Sequence, residues 1–217
     1  RWERYRRAQV GEVPRTEGEL RWRLHQAGPA LVAAMHDDGF ALWTAKRDWN
    51  GGLPAAEVEV LDFCATTPEA HADLWKTILS LDLVGPVVST RAVTEDDLLP
   101  SLLVNPRIVR TTNLHDNLWV KVLDPIICFN ARSYRVDDQL VLTTGAHTFT
   151  VDQGGCRPSS RQAELTLEPE ATGPLLLGGV AASDLAAQGL INATPDILDR
   201  ADAFFGHAPA PVTRLEF

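Results

Sequence analysis

The last two residues are the first candidates for chemistry, because Glu216 lies beside the free α-carboxylate of Phe217. An α-carboxylate has an ordinary pKa of about 3.5, too low for an efficient base at neutral pH unless burial or a neighbouring negative charge raises it. The Phe217 ring could hold the terminus by burial, so that a fixed and partly dehydrated carboxylate accepts a proton. The alternative is that Phe217 only packs its ring.

Asp116 is a second candidate. It follows His115 directly before the apolar residues Leu118 and Trp119, at the expected mouth of a strand where a cationic ligand could be met. The alternative is a solvated turn residue. Trp22 and Trp119 belong to a residue type that is more often found in cores and interfaces than in ligand sites.

Other familiar catalytic motifs are absent from the sequence, which has no GxGxxG, Walker-type, HExxH, CxxC or GxSxG pattern. The consecutive residues His36, Asp37 and Asp38 predict a hairpin turn, and no metal site is expected. Residues 7–11 are similar to an (Arg/Gln)-x-x-Gly-x-(Gly/Ala) pyrophosphate loop, but the spacing is one residue too long and the segment follows a predicted helix. Residues 178–179 predict a tight glycine turn in preference to a phosphate cradle.

Length, composition and charge limit the class of protein. A chain of 217 residues fits two domains of about 100 residues each. With 45% hydrophobic residues and no long apolar run, the composition is typical of a soluble protein and no membrane partner is expected. The net charge of −9 disfavours nucleic acid and favours cationic ligands.

The cysteines and the start of the chain carry two further expectations. Cys64, Cys128 and Cys156 lie far apart and are odd in number, so they predict reduced thiols in a cytoplasm. The chain opens without Met, in the helical pattern of residues 1–7, which predicts a fragment of a longer protein.

The first half of the chain predicts a sheet covered by one helix. Thr67 and Pro68 have the residue types of a helix N-cap and first turn, and Ala70, Leu74 and Ile78 then recur on one face. Two helices precede this unit, over 1–7 and 16–25, and strands are predicted over 30–35, 40–45, 58–63 and 86–90. The pattern is that of an α+β unit ending near residue 106.

The second half predicts further strands and then helices. Apolar alternation favours strands over 119–123, 148–151 and 164–167. A short helix is predicted from Pro125, and two more are predicted over 183–188 and 195–205, with Gly189 and Gly206 as stops.

Residues 110–124, RTTNLHDNLWVKVLD, closely resemble the domain junction of the Eis (enhanced intracellular survival) acetyltransferases. Other segments are similar to that family in the same order and spacing: 3–5, 72–75, 177–187, 202–205 and 215–217. The resemblance covers essentially the whole chain. It implies an α+β fold with a degenerate GNAT-like domain over 1–106 and a sterol-carrier-protein-like domain over 107–217.

The resemblance also implies an activity, that of an acetyl-CoA-dependent N-acetyltransferase acting on amines such as aminoglycosides or lysine side chains. In that family the C-terminal carboxylate deprotonates the amine, and a tyrosine of the first domain protonates the leaving thiolate. By position, Phe217 carries the general base, and Trp22, Asp116, Glu216 and Phe217 line the amine pocket.

The implied partners follow from the same resemblance. They are a cationic amine, an N-terminal GNAT domain that holds acetyl-CoA and is missing from this chain, and further copies forming a homo-hexamer in the bacterial cytoplasm, with secretion left open. The chain alone is then expected to be inactive. Two alternatives stay open: a carrier-type module that encloses a sterol or lipid in an apolar tunnel, and a scaffold that only holds an oligomer together.

Overall fold

The chain is divided into two units, each with its own sheet. The computed structural model describes residues 1–46, 48–82, 84, 88–90, 92–94, 96–114 and 118–214. One unit is formed by Arg1–Asn117 with Val212–Phe217, and the other by Leu118–Pro211. The predicted domain boundary after residue 106 stays a prediction. No helix in the described ranges is long and apolar enough to cross a membrane.

The first unit is a four-stranded sheet with helices around it. Two helices open the chain, α1 (Trp2–Ala8) and α2 (Glu17–Ala27), followed by a 3₁₀ turn at Gly28–Ala30. The sheet contains β1 (Leu31–His36), β2 (Gly39–Lys46), β5 (Glu57–Ala65) and β6 (Val88–Thr90). Between β2 and β5, the chain forms a separate two-stranded pair, β3 (Trp49–Asn50) and β4 (Leu53–Pro54). The sheet order is β1-β2-β5-β6, with β6 parallel to β5 and the other pairs antiparallel.

One long helix covers this sheet as predicted. It is α3 (Pro68–Leu79), which packs against β1, β2 and β5. The Thr67 hydroxyl accepts a hydrogen bond from the Ala70 amide at 3.2 Å, and Pro68 occupies the first turn, where a missing N–H costs nothing. Leu74 and Ile78 are buried in the core with Trp75. A short helix, α4 (Leu99–Leu102), and a 3₁₀ turn at Pro106–Ile108 complete the unit.

The second unit is a five-stranded sheet with four helices. In chain order, its elements are α5 (Pro125–Asn130), β7 (Gln139–Thr144), β8 (His147–Asp152), β9 (Gly155–Pro158), β10 (Leu165–Leu167), α6 (Pro169–Leu177), α7 (Ala182–Ala187), β11 (Ile191–Asn192) and α8 (Pro195–Phe205). The order is β11-β10-β7-β8-β9, so β7 lies between the two strands predicted over 148–151 and 164–167. The predicted helices at 183–188 and 195–205 are confirmed within a residue or two.

The strand predicted over 119–123 is wrong. Its alternation of apolar and polar residues is that of a strand, yet the segment joins no sheet, and Trp119 and Leu123 are each 86% exposed. It instead runs against α6, where a Cβ built on Gly173 would lie 2.7 Å from the Val120 carbonyl oxygen. Glycine at position 173 therefore allows the close approach that replaces strand pairing.

Aromatic side chains fill the core of the second unit. The Tyr134 ring stacks on Phe204 with ring centres 4.4 Å apart, and Phe129 contacts Phe149 and Phe205 at 5.8 and 5.7 Å. All five are buried, and Tyr134 donates its hydroxyl hydrogen to the Phe129 carbonyl at 2.8 Å. For the described residues, the space between sheet and helices is occupied by the protein's own side chains, which counts against an apolar tunnel.

An ion pair ties α8 to the start of β7 and carries a pH prediction. Arg200 donates Nε and Nη2 to the two Asp138 carboxylate oxygens at 2.9 and 2.7 Å. These bonds hold the pKa of Asp138 below its usual range. A carboxyl with a lowered folded-state pKa stabilises the fold above its unfolded pKa of about 3.9, and this contribution is lost as the pH falls through the folded value.

Replacing Arg200 by Met is therefore expected to lower the free energy of unfolding at pH 7 by about 1–2 kcal/mol, since the pair is partly exposed and screened by solvent. The difference from the wild type should shrink as the pH falls below about 4. Urea unfolding at several pH values measures it. Arg135→Met is the control, because Arg135 donates to the Ala208 carbonyl and not to a carboxylate. A deficit of Arg200→Met that is unchanged at pH 2.5 would contradict the assignment.

Candidate functional site

The C-terminal segment lies against the first helices of the first unit. The Val212 amide donates to the Val10 carbonyl at 2.9 Å. Gly11 follows with φ +93°, and a Cβ built there would lie 2.8 Å from the Val212 carbonyl oxygen. Gly11 is thus required both by its backbone conformation and by the neighbouring tail. The segment follows the helix α1, as predicted.

Arg214 is the residue that fixes this segment. Its guanidinium donates to the Phe63 carbonyl and to the Tyr5 hydroxyl, and its Nε lies 3.5 Å from Glu12 Oε1. The Arg214 amide donates to Glu12 Oε2 at 3.3 Å, and Arg23 Nη2 donates to the Arg214 carbonyl at 2.9 Å. Side chain, amide and carbonyl of one residue are all held. We call Arg214 with these four partners the tail clamp.

The electrostatics of the tail clamp are those of a closed, buried cluster. The side chains of Arg214 and Glu12 are only 9% and 1% exposed. Burial raises the pKa of Tyr5 to about 12 against the opposing charge of Arg214, and burial raises the pKa of Glu12 as well. Burial also raises the pKa of the neighbouring Cys64 thiol to about 11, so this cysteine is protonated at neutral pH and is no nucleophile.

Trp22 is the one predicted site residue in the described part of the chain. It lies on α2, which begins at a Thr16 cap whose hydroxyl accepts from the Glu19 amide at 3.1 Å. Trp22 is 59% exposed and directly precedes Arg23 of the tail clamp. Asp116, Glu216 and Phe217 lie outside the described residues.

The residues that fix the tail were not predicted from the sequence. The sequence points to Tyr5 only through the family likeness of residues 3–5, and it carries no local signal for Glu12, Arg23 or Arg214. The contacts join positions 151 to 209 residues apart, which local patterns do not reveal. The one local signal is Gly11, which enters the sequence analysis only as part of the segment similar to a phosphate loop.

The connection from β5 to α3 does not fit a pyrophosphate. A phosphate-binding helix start offers free backbone amides and the positive end of the helix dipole. Here Pro68 has no amide hydrogen, the Ala70 amide donates to Thr67, and Glu69 places a carboxylate in the first turn. The start of α3 therefore lacks the free amides and the uncompensated positive dipole that a pyrophosphate needs.

The remaining predicted turns are confirmed. Residues 37–38 form the turn of the β1–β2 hairpin, with the Asp38 amide donating to His36 Nδ1 at 3.0 Å. Gly178 ends α6 in the left-handed conformation, with φ +77°. Within the described ranges, no three His, Cys, Asp or Glu side chains are grouped so that they could hold a metal ion.

Two family models match the chain. The model described as an acetyltransferase (GNAT) domain matches residues 11–122, and the model described as a sterol carrier protein domain matches residues 109–214. The first covers just over half of the chain, and the two together cover nearly all of it.

Individual relatives agree with these models. An uncharacterised N-acetyltransferase of Streptomyces avermitilis is 32% identical over 214 residues, covering 87% of this chain and 50% of that protein. The N-acetyltransferase Eis of Mycobacterium tuberculosis is 30% identical over 194 residues, covering 85% and 46%. The crystal structure of Eis1 from Mycobacterium abscessus superposes with a TM-score of 0.88 at 28% identity, over 99% of this chain and 58% of that one. The chain spans about half the length of the curated relatives it matches.

The mixed helix-and-sheet units and the two matched models define a protein with a GNAT acetyltransferase domain and a sterol-carrier-like domain, which confirms the predicted fold class. The chain belongs to the acetyltransferase (GNAT) family. Within that family it is homologous to the Eis-type N-acetyltransferases.

Proposed function

We propose that this chain supplies the amine pocket and the general base of an acetyl-CoA-dependent N-acetyltransferase. The base is the C-terminal carboxylate of Phe217, and Trp22, Asp116 and Glu216 line the pocket. The observation that carries the proposal is the docking of the tail: the chain returns to the first unit and is held at Arg214, three residues before its end.

The short length of chain after Arg214 means that this docking also limits where the terminal carboxylate can lie. Three residues span at most about 11 Å, so holding Arg214 limits the distance that the terminal carboxylate can lie from the first unit. Arg23 of the tail clamp is the neighbour of Trp22, so α2 contributes both to the anchor and to the proposed pocket. A freely fraying terminus would be a poor base, whereas a held one can meet the substrate in a fixed geometry.

The role of the base is a single proton transfer. The Phe217 carboxylate accepts a proton from the substrate ammonium, which leaves a neutral amine whose nitrogen lone pair can attack an acyl carbon. Asp116 and Glu216 together attract a cationic amine.

Acetyl-CoA supplies the acetyl group and, in this proposal, is held by a GNAT domain outside this chain. The occupied amides and the acidic first turn of α3 support that division. The protein acts as a homo-hexamer in the bacterial cytoplasm, and the chain alone is inactive. The net charge of −9 favours cationic substrates such as aminoglycosides or lysine side chains. The filled core of the second unit speaks against a lipid carrier.

The test is an acetylation assay of the full-length enzyme with acetyl-CoA and a panel of aminoglycosides and lysine peptides. Mass spectrometry of the products should show addition of one or more acetyl groups to amine nitrogens. A protein that binds a fluorescent sterol or fatty acid but acetylates no amine would favour the carrier alternative. A protein that does neither would favour the scaffold.

Trp22 provides a prediction about substrate binding. We expect Trp22→Ala to raise KM for a cationic amine about 5- to 30-fold, the loss of a cation–π contact of roughly 1–2 kcal/mol, with kcat nearly unchanged. Because the side chain is mostly exposed, the free energy of unfolding should change by no more than about 0.5 kcal/mol.

Trp49→Ala is the matched control, since Trp49 belongs to the same unit and is also 59% exposed. Steady-state kinetics of both variants decide the matter. Equal KM values for Trp22→Ala and the wild type would remove Trp22 from the amine pocket.

A further inference from the structure

Arg214 has more fixed contacts than a tail needs in order to lie on a surface. Its two terminal nitrogens donate to different partners, Nη1 to the Phe63 carbonyl and Nη2 to the Tyr5 hydroxyl. Its Nε makes no hydrogen bond and lies 3.5 Å from Glu12 Oε1, at ion-pair distance. The guanidinium carbon also lies 4.5 Å from the centre of the Tyr5 ring. The planar fork of arginine fixes direction as well as position, which the flexible ammonium of lysine does not.

The buried charges of this cluster are better suited to fixing the position of the tail than to stabilising the fold. Taking a guanidinium and a carboxylate out of water costs free energy that their attraction only partly returns, so apolar side chains of similar volume would hold a tail at least as firmly. What a buried arginine with two directed hydrogen bonds adds is one defined arrangement. Arg23 donates to the Arg214 carbonyl at 2.9 Å, so the orientation of this carbonyl group is fixed as well.

We propose that Arg214 is a positioning residue, and that the tail clamp sets where the last three residues begin and hence where the terminal carboxylate meets the amine. This rests on the proposed function, in which that carboxylate is the general base. Arg23 is the second positioning residue, because it joins the tail to the helix that carries Trp22. Neither residue touches the substrate.

The proposal distinguishes effects on turnover from effects on binding. A base displaced by about 1 Å can cost up to about 100-fold in rate, while the amine pocket stays in place. We therefore expect Arg214→Lys and Arg23→Lys to lower kcat about 10- to 100-fold and to change KM for the amine and for acetyl-CoA by less than about 2-fold. Loss of fold would instead lower the active fraction together with the melting temperature.

Gly11→Ala tests the same point without changing a charge. The added Cβ would lie 2.8 Å from the Val212 carbonyl oxygen, and the residue has a φ of +93°. The tail must therefore move, although every partner of Arg214 is kept. We expect the same reduction of kcat with unchanged KM values.

A second measurement reports on the tail without using activity. Hydrogen exchange of the Val212 and Arg214 amides, followed by mass spectrometry of the C-terminal peptide, reads the bonds to Val10 and Glu12 directly. In Arg214→Lys and Arg23→Lys we expect exchange about 10-fold faster, because the segment opens more often. Arg21→Lys is the matched control on α2, where the exposed Arg21 pairs only with Glu17 in the described structure.

The experiment is carried out on the full-length enzyme, beside a variant that lacks Glu216 and Phe217. Faster exchange together with reduced kcat and unchanged KM supports the proposal. Wild-type kcat in the clamp variants, with turnover still lost on deletion of the last two residues, overturns the positioning role and leaves the general base intact. Unchanged exchange with reduced kcat overturns it too.

Full turnover in the deletion variant overturns the proposed function and the positioning role together, which separates that failure from the others. If Arg214→Lys does not fold, Arg23→Lys decides, because it alters only the bond to the Arg214 carbonyl and the pair with Glu19, replacing the planar fork by a less directed ammonium.

Discussion

Removal of Glu216 and Phe217 is expected to lower kcat/KM of the full-length enzyme about 100- to 10,000-fold, the usual contribution of a positioned general base. The new terminus at Leu215 still ends in a carboxylate. However, that carboxylate is withdrawn by about 7 Å from the place that the tail clamp gives to the original one. Proton transfer needs hydrogen-bond distance, so a displaced carboxylate of the same chemistry cannot replace it.

Phe217→Leu is the matched control for this deletion. It keeps the α-carboxylate, the chain length and an apolar terminal side chain, so its kcat/KM should stay within about 10-fold of the wild type. Progress curves with acetyl-CoA and an aminoglycoside compare the two variants. If the deletion keeps wild-type turnover, or if Phe217→Leu loses as much as the deletion, the carboxylate is not the base.

Breaking the buried pair of Arg15 and Asp62 is expected to cost about 3–5 kcal/mol of unfolding free energy. The two side chains are only 7% and 5% exposed, and both Arg15 terminal nitrogens donate to the Asp62 carboxylate. The Arg15 guanidinium also lies 3.4 Å from the centre of the Trp2 ring. In Asp62→Leu the guanidinium is left buried without its counter-charge. The segment leading into α2 then loses this ion pair with β5.

Urea unfolding followed by tryptophan fluorescence measures this effect selectively, because the first unit contains five of the six tryptophans: Trp2, Trp22, Trp43, Trp49 and Trp75. The double variant Arg15→Met, Asp62→Leu is the control. Removing both charges should restore most of the loss, because no uncompensated charge stays buried. A single variant that costs less than about 1 kcal/mol, or a double variant no more stable than the single one, would contradict a tightly coupled pair.

The elements predicted correctly have local signals. In α3, a Thr cap, a first-turn Pro and an apolar face at helical spacing agree, and the helix begins at Pro68 as expected. The helix α8 likewise begins at Pro195 and ends before Gly206. Here local preference and tertiary packing demand the same structure.

The elements predicted wrongly are those in which packing overrides local preference. The α6 helix was not predicted, because Gly173 and Pro174 inside it are poor helix formers. Gly173 is needed for the close contact with Val120, and the segment around Trp119 lies against α6 without joining the sheet. Such a contact involves both α6 and the segment around Trp119, and the residue pattern of neither segment alone predicts it.

The candidate site likewise has a part that could be predicted from the sequence and a part that could not. The family resemblance supplied Trp22, Asp116, Glu216 and Phe217, and of these only Trp22 lies in the described structure. What the sequence could not supply is how the terminus is held. The anchor depends on Arg214 meeting Tyr5 and Glu12 from the opposite end of the chain. Its physical basis is burial and directed hydrogen bonding, which exist only after folding.

The most direct test of the general base changes one functional group. Joining a synthetic C-terminal peptide to the full-length enzyme allows the Phe217 carboxylate to be replaced by a carboxamide of nearly the same size, with the tail and its clamp unchanged. We predict that kcat/KM of the amide enzyme for an aminoglycoside falls at least about 100-fold relative to the enzyme joined to the natural peptide. Equal kcat/KM values for the two joined enzymes would show that the terminal carboxylate takes no proton from the amine.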